Sequence, residues 1–289
     1  MTIEELIRDL NGLVSLPRAY YRISEMLEDP RYGSADIGRV IAHDPALTAR
    51  LLRMVNSAHF GFKTKVSTIP QAITLLGTRN LRELVLATSV ASAFANISTR
   101  LVDMADFWHH SIYCGILARA LARHLKHSQP EQLFVAGLIH DLGKLVIYHR
   151  LPEQAAIVLN RLPHSDQPLY QIEREVLGFD HAAVGAALMR EWKLPEMLCV
   201  TTAYHNQPVR ARSYLDEVAL VHVANALSKK VEPGYKIKRK EDEEPFIDPS
   251  AAERVPIEPE LLAQLRLEAD VQSIEAFSTL FSGTPIFRR

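Results

Sequence analysis

The sequence predicts an all-α protein built of two helical bundles and a C-terminal extension. Apolar residues recur at helical spacing along nearly the whole chain, whereas the alternation typical of strands is scarce. Proline and short polar residues stand where these helical patterns begin, as expected of helix starts. With 289 residues, of which 47% are hydrophobic, the chain can bury one large core or two modest ones.

The first bundle is predicted from helix-start signals in the front part of the chain. Asp44-Pro45 can cap a helix and fit its first turn. The apolar face of that helix is Leu47, Leu51, Met54, Val55 and Ala58. Asn56-Ser57 interrupts this face, and it could bond a neighbouring helix start or contact a partner. Further helices are predicted over Thr68–Gly77, which has capping-box spacing, and from Asn80 to about Ala95.

The second bundle begins with a long helix predicted from Asp103 to about Leu125. Ser128-Gln129-Pro130 then starts one helix that contains His140-Asp141 and ends before Pro152. Four more helices follow, at Glu153–Arg161, at Tyr170–Leu177, from His181 onward after the cap Asp180, and from Pro195 to about His205. The last begins at Ser213 or Asp216 and ends near Lys230.

The composition changes after Lys230, where four basic residues run into four acidic ones. These are Lys236, Lys238, Arg239 and Lys240, then Glu241, Asp242, Glu243 and Glu244. Such a run predicts a solvated linker. Helical periodicity returns from Pro259 to about Leu280. The predicted division is therefore residues 1–97, residues 98–230, and an extension over residues 231–289.

The overall charge excludes some classes of partner. The net charge is -1, which gives no drive toward nucleic acid or an anionic membrane. A nucleic-acid adaptor through the Lys236–Lys240 run stays a minor alternative, because the adjoining acids cancel its charge. Cys114 and Cys199 are predicted to be buried thiols in a reducing compartment. Without a signal-peptide pattern or an apolar run of about 20 residues, we expect a cytoplasmic chain with no membrane contact.

The chemistry of the chain is concentrated at His140-Asp141, which follows an apolar run. A neutral imidazole and a carboxylate are ligands of divalent metals, and a buried charge needs a partner or a metal. On one helix these neighbours would point roughly 100° apart, so they would share a site only at its edge or bind two ions. Lys144 follows one turn later, where it could contact a phosphate oxygen or pair with Asp141.

The order of histidines along the chain resembles the HD superfamily of metal-dependent phosphohydrolases. It consists of His110-Ser111, His140-Asp141-x-x-Lys144, His181-x-x-x-Gly185 and His205. Further sequence segments resemble those of the HDOD branch, the HD-related output domains of bacterial signalling. They are Asp44-Pro45-Ala46-Leu47-Thr48, Val55-Asn56-Ser57, Gln71–Gly77, Val176–His181 and Glu191–Pro195. The resemblance covers about residues 10–230 and implies an all-helical protein with an HD-like second bundle.

The resemblance implies a set of metal ligands, with one departure from the catalytic pattern. The candidates are His110, His140, Asp141, His181, His205 and Asn225. The catalytic pattern has an Asp within an Ala-Asp pair where this chain has Ala224-Asn225, and a neutral amide oxygen is a poorer ligand for a hard cation. The Gly-Tyr-Pro motif of the diguanylate-hydrolysing relatives is also missing after His205.

Two functions remain open from the sequence. The favoured hypothesis is a non-catalytic signalling output module that acts by binding a signalling protein or a small ligand such as a nucleotide. The alternative is a metal-dependent phosphohydrolase acting on a nucleotide or cyclic dinucleotide, in which Lys144 contacts phosphate. The cofactor would be Fe, Mn, Zn or Mg, or no metal at all.

Overall fold

The helices of this chain form two compact units, and the predicted all-α class is confirmed. The structure, a computed structural model, describes residues 1–281 apart from residues 9, 11–13, 58–59, 61, 63, 96, 98 and 230–244. No strand occurs among these residues. One unit comprises Met1–Leu13 and Ile97–Arg266, and the other comprises Val14–Asn96 and Leu267–Arg289.

In its described residues, the unit formed by the front part of the chain contains four complete helices that pack on one another. They are α2 (Arg18–Glu28), α3 (Ser34–Ala42), α4 (Pro45–Val55) and α5 (Ile69–Phe94). Asp44 caps α4 as predicted, since its side chain accepts the N–H of Leu47 at 2.9 Å. Within α5 the backbone of Gly77 is non-helical (φ 80°, ψ 162°), so residues 69–94 consist of two helical segments, in agreement with the predicted helix end at Gly77.

Asn56 fastens the end of α4 to the segment that precedes α5. Its side-chain nitrogen donates to the carbonyl of Val66, and its oxygen accepts the N–H of Val66, both at 2.7 Å. The structural role considered for Asn56-Ser57 is therefore the one that the geometry supports.

The other unit contains α1 and the helices from α6 to α14. These are α1 (Ile3–Arg8), α6 (Met104–His124), α7 (Pro130–Ile139), α8 (Leu142–Arg150), α9 (Pro152–Arg161), α10 (Leu169–Leu177), α11 (His181–Glu191), α12 (Glu196–Tyr204), α13 (Leu215–Ser228) and α14 (Pro249–Ala252). Helix α15 (Pro259–Phe281) contributes its first residues to this unit and the rest to the other. The short α1 packs on α8 and α11.

Two pairs of helices in this unit approach so closely that only glycine fits between them. A Cβ atom on Gly137 of α7 would lie 2.7 Å from the Cα of Gly115 of α6. A Cβ on Gly143 of α8 would lie 1.9 Å from the carbonyl oxygen of His181, at the start of α11. Because backbone cannot yield as a flexible side chain does, these contacts fix α6 against α7 and α8 against α11.

Two predicted helix boundaries in this unit are wrong. The single helix expected between Pro130 and Pro152 is broken at His140-Asp141, into α7 and α8. The contact of Gly143 with α11 is the physical reason, since α8 has to change direction to reach it. Helix α13 is preceded by Tyr214 in the left-handed region (φ 53°), whereas Ser213 or Asp216 was expected to begin it.

The predicted division at residues 97 and 230 concerns domains and stays a prediction. The compact units place α1 with the later helices and divide α15 between the two. The charged run Lys236–Glu244 lies outside the described residues. None of the described helices combines the length and apolar character needed to cross a lipid bilayer.

Candidate metal centre

The break between α7 and α8 turns the Asp141 carboxylate into the middle of a ring of histidines. His140 ends α7, and Asp141 precedes α8 with a non-helical backbone (φ −102°, ψ 6°). The Asp141 side chain makes no helix-capping bond, so both its oxygens face the centre. The expectation that the two side chains point apart on one helix is therefore wrong, since their Nε2 and Oδ2 atoms are 3.2 Å apart.

Four histidine Nε2 atoms surround the two oxygens of this carboxylate. On the Oδ2 side, the Nε2 of His140 lies at 3.2 Å and that of His110 at 3.6 Å. On the Oδ1 side, the Nε2 of His181 lies at 3.4 Å and that of His205 at 3.6 Å. Asp141 is shared between two groups of three potential metal ligands, one with His110 and His140 and one with His181 and His205. We call these the first half and the second half of the centre.

Four different helices bring these side chains together. His110 lies in α6, His140 ends α7, His181 is the first residue of α11, and His205 ends α12. The glycine contacts set their positions, because Gly115 and Gly137 join α6 to α7 while Gly143 joins α8 to α11. The centre is thus a product of the packing of this unit and not of any local segment.

Three of the histidine rings are held through the nitrogen that faces away from Asp141. The Nδ1 of His140 contacts the carbonyl of Gly137 at 2.6 Å, and that of His205 contacts the carbonyl of Thr202 at 2.8 Å. The Nδ1 of His181 contacts Glu173 Oε2 at 2.5 Å. A carbonyl or carboxylate oxygen only accepts, so each Nδ1 carries a proton, and the neutral form of each ring directs an Nε2 lone pair inward. This second-nitrogen bond is typical of metal-ligating histidines.

The electrostatics of the centre favour a positive charge beside Asp141. Burial works against the charged forms, but His140 and Lys144 hold the pKa of Asp141 well below its usual range. Burial also opposes the charged form of His140, but Asp141 and Cys114 outweigh it and raise the pKa of His140 well above its usual value. Burial lowers the pKa of His205 to about 3, so this ring stays neutral near pH 7. A proton or a metal ion can supply the positive charge on the His140 side.

Lys144 forms an ion pair with Asp141, which is one of the two contacts that the sequence left open; the other was a phosphate oxygen. Its Nζ donates to Asp141 Oδ2 at 2.6 Å. Its side chain is 12% exposed, in contrast to the 1% of Asp141. The ion pair partly neutralises the carboxylate, and a small part of the Lys144 side chain remains exposed to solvent.

Sequence reasoning missed two residues of the centre. Glu173 orients His181, and it also accepts the backbone N–H of that residue at 3.0 Å. The side-chain nitrogen of Asn206 contacts both His181 Nε2, at 3.0 Å, and His205 Nε2, at 2.9 Å. The sequence gives little indication of either role. Glu173 lies eight residues before His181, and Asn206, although it follows His205 directly, resembles any polar residue after a helix.

Asn225 lies buried in α13, which packs against α6, α7 and α12. On the same helix, one turn earlier, His222 donates from Nδ1 to the carbonyl of His205 at 2.7 Å. Helix α13 therefore contacts the segment that ends in His205, while the role of Asn225 as a ligand stays a prediction.

The donor set and its spacing fit a divalent ion. Imidazole nitrogens with one carboxylate suit borderline ions such as Zn²⁺, Fe²⁺ and Mn²⁺. With ligand bonds of about 2.0–2.2 Å, neighbouring ligand atoms around an ion are roughly 3–3.5 Å apart. The Nε2–Oδ distances of 3.2–3.6 Å around Asp141 lie close to this range. Within the described residues, neither His140 Nε2 nor Asp141 Oδ1 has a hydrogen-bond partner, so neither atom is already used by a donor of the protein.

Comparison with known proteins establishes the family of the chain. The HDOD domain matches residues 13–208, and the chain therefore belongs to the HDOD family. A Treponema pallidum (strain Nichols) protein named as uncharacterized is 26% identical over 218 residues, which are 75% of this chain. The chain spans only 42% of the length of that relative.

Three solved structures resemble this one over nearly its whole length. A Shewanella amazonensis SB2B protein, named as a proposed phosphohydrolase, is 26% identical with a TM-score of 0.72 and covers 95% of this chain and 97% of its own. An HDOD domain protein of unknown function from Geobacter sulfurreducens is 24% identical (TM-score 0.75; 99% and 98% covered). A Marinobacter aquaeolei VT8 protein, named as a proposed signal transduction protein, is 20% identical (TM-score 0.68; 94% and 60% covered). The last two likenesses concern the fold.

Proposed function

We propose that this chain is a regulatory output module of the HDOD family whose His/Asp centre holds a divalent metal as a fixed part of the fold. Burial is the observation that supports a structural role over a catalytic one. The five candidate ligands His110, His140, Asp141, His181 and His205 are each at most 3% exposed. An ion bound there is enclosed by the helices, whereas a phosphodiester substrate would need an open path to it.

In this proposal the ion links helices that are far apart in the sequence. His110 and His140 would hold it together with the Asp141 carboxylate, and Lys144 would balance the remaining charge of that carboxylate. The bound ion supplies positive charge at the point where burial makes an uncompensated carboxylate most costly. The chain's own part is to hold the rings in place and to keep water away from the ion.

The proposed action of the module is to bind another signalling protein, with a nucleotide as the second candidate ligand. The family membership and the fold shared with the Marinobacter protein support this part of the proposal. Titration calorimetry with cyclic dinucleotides and nucleoside triphosphates tests the second candidate. Heat of binding that is unchanged in the His140→Ala variant would place such a ligand away from the centre.

The alternative function is a metal-dependent phosphohydrolase, and the exposure of Lys144 is what favours it. Lys144 is paired with a buried ligand carboxylate, yet its side chain is 12% exposed, and its ammonium group could contact a phosphate oxygen. The likeness to the Shewanella protein also supports this alternative. Against it stands Asn225, whose neutral amide replaces the carboxylate of the catalytic pattern.

One experiment separates the two functions. Protein purified without chelator is analysed for Fe, Mn, Zn and Mg, and then assayed with bis-p-nitrophenyl phosphate in Mn²⁺. Bound metal without turnover supports the regulatory module. Turnover that disappears in Asp141→Asn would establish the phosphohydrolase instead. Protein without bound metal that takes up neither Mn²⁺ nor Zn²⁺ would contradict the metal centre in both forms.

A further inference from the structure

Asn206 is placed where it can decide how many ions the centre holds. It follows His205 directly, just beyond the end of α12. Its side-chain nitrogen lies 3.0 Å from His181 Nε2 and 2.9 Å from His205 Nε2. These are the two histidines of the second half of the centre.

The positions of the protons on the two rings determine which group donates in these two hydrogen bonds. The Nδ1 atoms of His181 and His205 contact Glu173 Oε2 and the carbonyl oxygen of Thr202, which only accept, so in the neutral form of each ring the remaining lone pair lies at Nε2. An asparagine amide nitrogen has two N–H groups and no lone pair to offer. One amide group therefore donates to both rings at once. The opposite amide orientation would place the oxygen against two lone pairs and is excluded on energetic grounds.

These hydrogen bonds use the electron pairs that an ion in the second half would need. Such an ion would take one lone pair from His181, one from His205 and one from Asp141 Oδ1. A lone pair that accepts an N–H cannot at the same time bind a cation. Metal binding in this half would have to displace the amide of Asn206 and break both hydrogen bonds.

The first half differs in this respect. His140 Nε2 has no hydrogen-bond donor among the described residues, and it faces Asp141 Oδ2 at 3.2 Å. That oxygen also accepts from Lys144, but a carboxylate oxygen has room for a second contact. An ion in the first half would therefore bind His140 Nε2 without displacing a side-chain amide.

We infer that Asn206 closes the second half of the centre, so that the chain binds a single ion, at His110, His140 and Asp141. This inference rests on the proposed metal centre and adds to it the number and position of the ion. Asn206 then acts as an internal substitute for a second cation, since its amide hydrogens supply the positive partner that the His181 and His205 lone pairs require.

The Asn206→Ala variant tests the inference by removing the amide. We expect Mn²⁺ titration by calorimetry to give one ion per wild-type chain and two per Asn206→Ala chain. Electron paramagnetic resonance should show an isolated Mn²⁺ signal for the wild type and a spin-coupled pair for the variant, because both ions would share Asp141. The double variant Asn206→Ala/His181→Ala is the matched control and should return to one ion.

Two ions in the wild-type chain, or a single ion in Asn206→Ala, would overturn the inference while leaving the metal centre intact. Absence of binding in both proteins would overturn the metal centre itself, and the inference with it. A second test needs no variant. With one equivalent of Zn²⁺, nitrogen NMR of the wild-type imidazoles should show a metal-induced shift at His140 Nε2 and none at His181 or His205, and the reverse pattern would overturn the inference.

Discussion

His222 uses both ring nitrogens to join α13 to two other parts of its unit. Its Nδ1 donates to the carbonyl of His205 at 2.7 Å, and its Nε2 accepts the backbone N–H of Asp248 at 2.9 Å. The neutral ring satisfies both contacts, whereas a second ring proton would face the N–H of Asp248. Burial in this setting lowers the pKa of His222 below its usual value.

This linkage predicts a loss of stability in acid for the metal-free chain. Because the folded-state pKa of His222 lies below the unfolded value of about 6.5, the unfolded state binds the proton more readily. The contribution of His222 is therefore fully present above that pH and is lost as the pH falls below it. Urea unfolding of the wild type and His222→Gln at pH 8, 7, 6 and 5 measures this. The variant should lose stability less steeply, and equal slopes would contradict the assignment.

Restoring a carboxylate at Asn225 tests whether this residue is part of the centre. If Asn225 lines the centre, Asn225→Asp adds a negative charge beside the ion and should tighten Mn²⁺ binding by at least about tenfold, or ~1.4 kcal/mol. Asn160→Asp makes the same chemical change at an exposed position of α9 and should leave the affinity unchanged. Equal affinities for all three proteins would place Asn225 outside the centre.

At the scale of helices, the glycine contacts connect the sequence to the site. Gly143 allows the start of α8 to touch the first residue of α11, and these two helices flank Asp141 and His181. A methyl group there would lie 1.9 Å from the His181 carbonyl oxygen, so the helices would have to separate. The position of the carboxylate inside the ring of histidines depends on this one small residue.

Gly143→Ala should therefore lower both the stability and the metal affinity of the chain. Overpacking of this kind costs about 1–3 kcal/mol or more. Thermal unfolding and Mn²⁺ titration measure the two effects. Gly33→Ala is the matched control, because a Cβ there meets its nearest neighbour at an ordinary 3.6 Å. A variant as stable as Gly33→Ala and with wild-type affinity would show that α8 and α11 can adjust without disturbing Asp141.

The helix break at His140-Asp141 shows where sequence reasoning reaches its limit. The helices around it were predicted from caps and periodicity, and Asp44 and Asp180 cap as expected. The segment before Lys144 contains no proline and keeps an apolar pattern, so nothing local predicts a break. The break depends on a contact with α11, some 40 residues further along the chain, and only tertiary packing reveals it.

At the scale of the whole molecule, the centre joins helices that span most of one compact unit. The candidate ligands of the first half come from α6 and from the junction of α7 and α8, and the second half adds α11 and α12. The histidine order and the family resemblance predicted this set from sequence. The contacts of Glu173 and Asn206 were not predictable, because each depends on where a distant helix lies.

Metal binding should accordingly stabilise the folded chain as a whole. An ion that binds only the folded state at 100 times its Kd adds about 2.7 kcal/mol. For a unit of this size, that corresponds to a rise in Tm of roughly 5–10 °C. Scanning calorimetry of EDTA-treated protein with and without Mn²⁺ measures the shift. His140→Ala should show no shift, and a shift that persists in this variant would mean that Mn²⁺ binds elsewhere.

The bonds from Nδ1 of His140, His181 and His205 also determine what an arriving ion can change. The His140 ring, which belongs to the first half, is immobilised when the chain folds, so an ion bound there does not have to order it, and a cost of about 0.5–1.5 kcal/mol for that side chain is absent from its binding. The centre is preorganised. Metal uptake should thus leave the conformation of these side chains almost unaltered. Its effect should be on the lifetime of the folded state, which the bound ion lengthens.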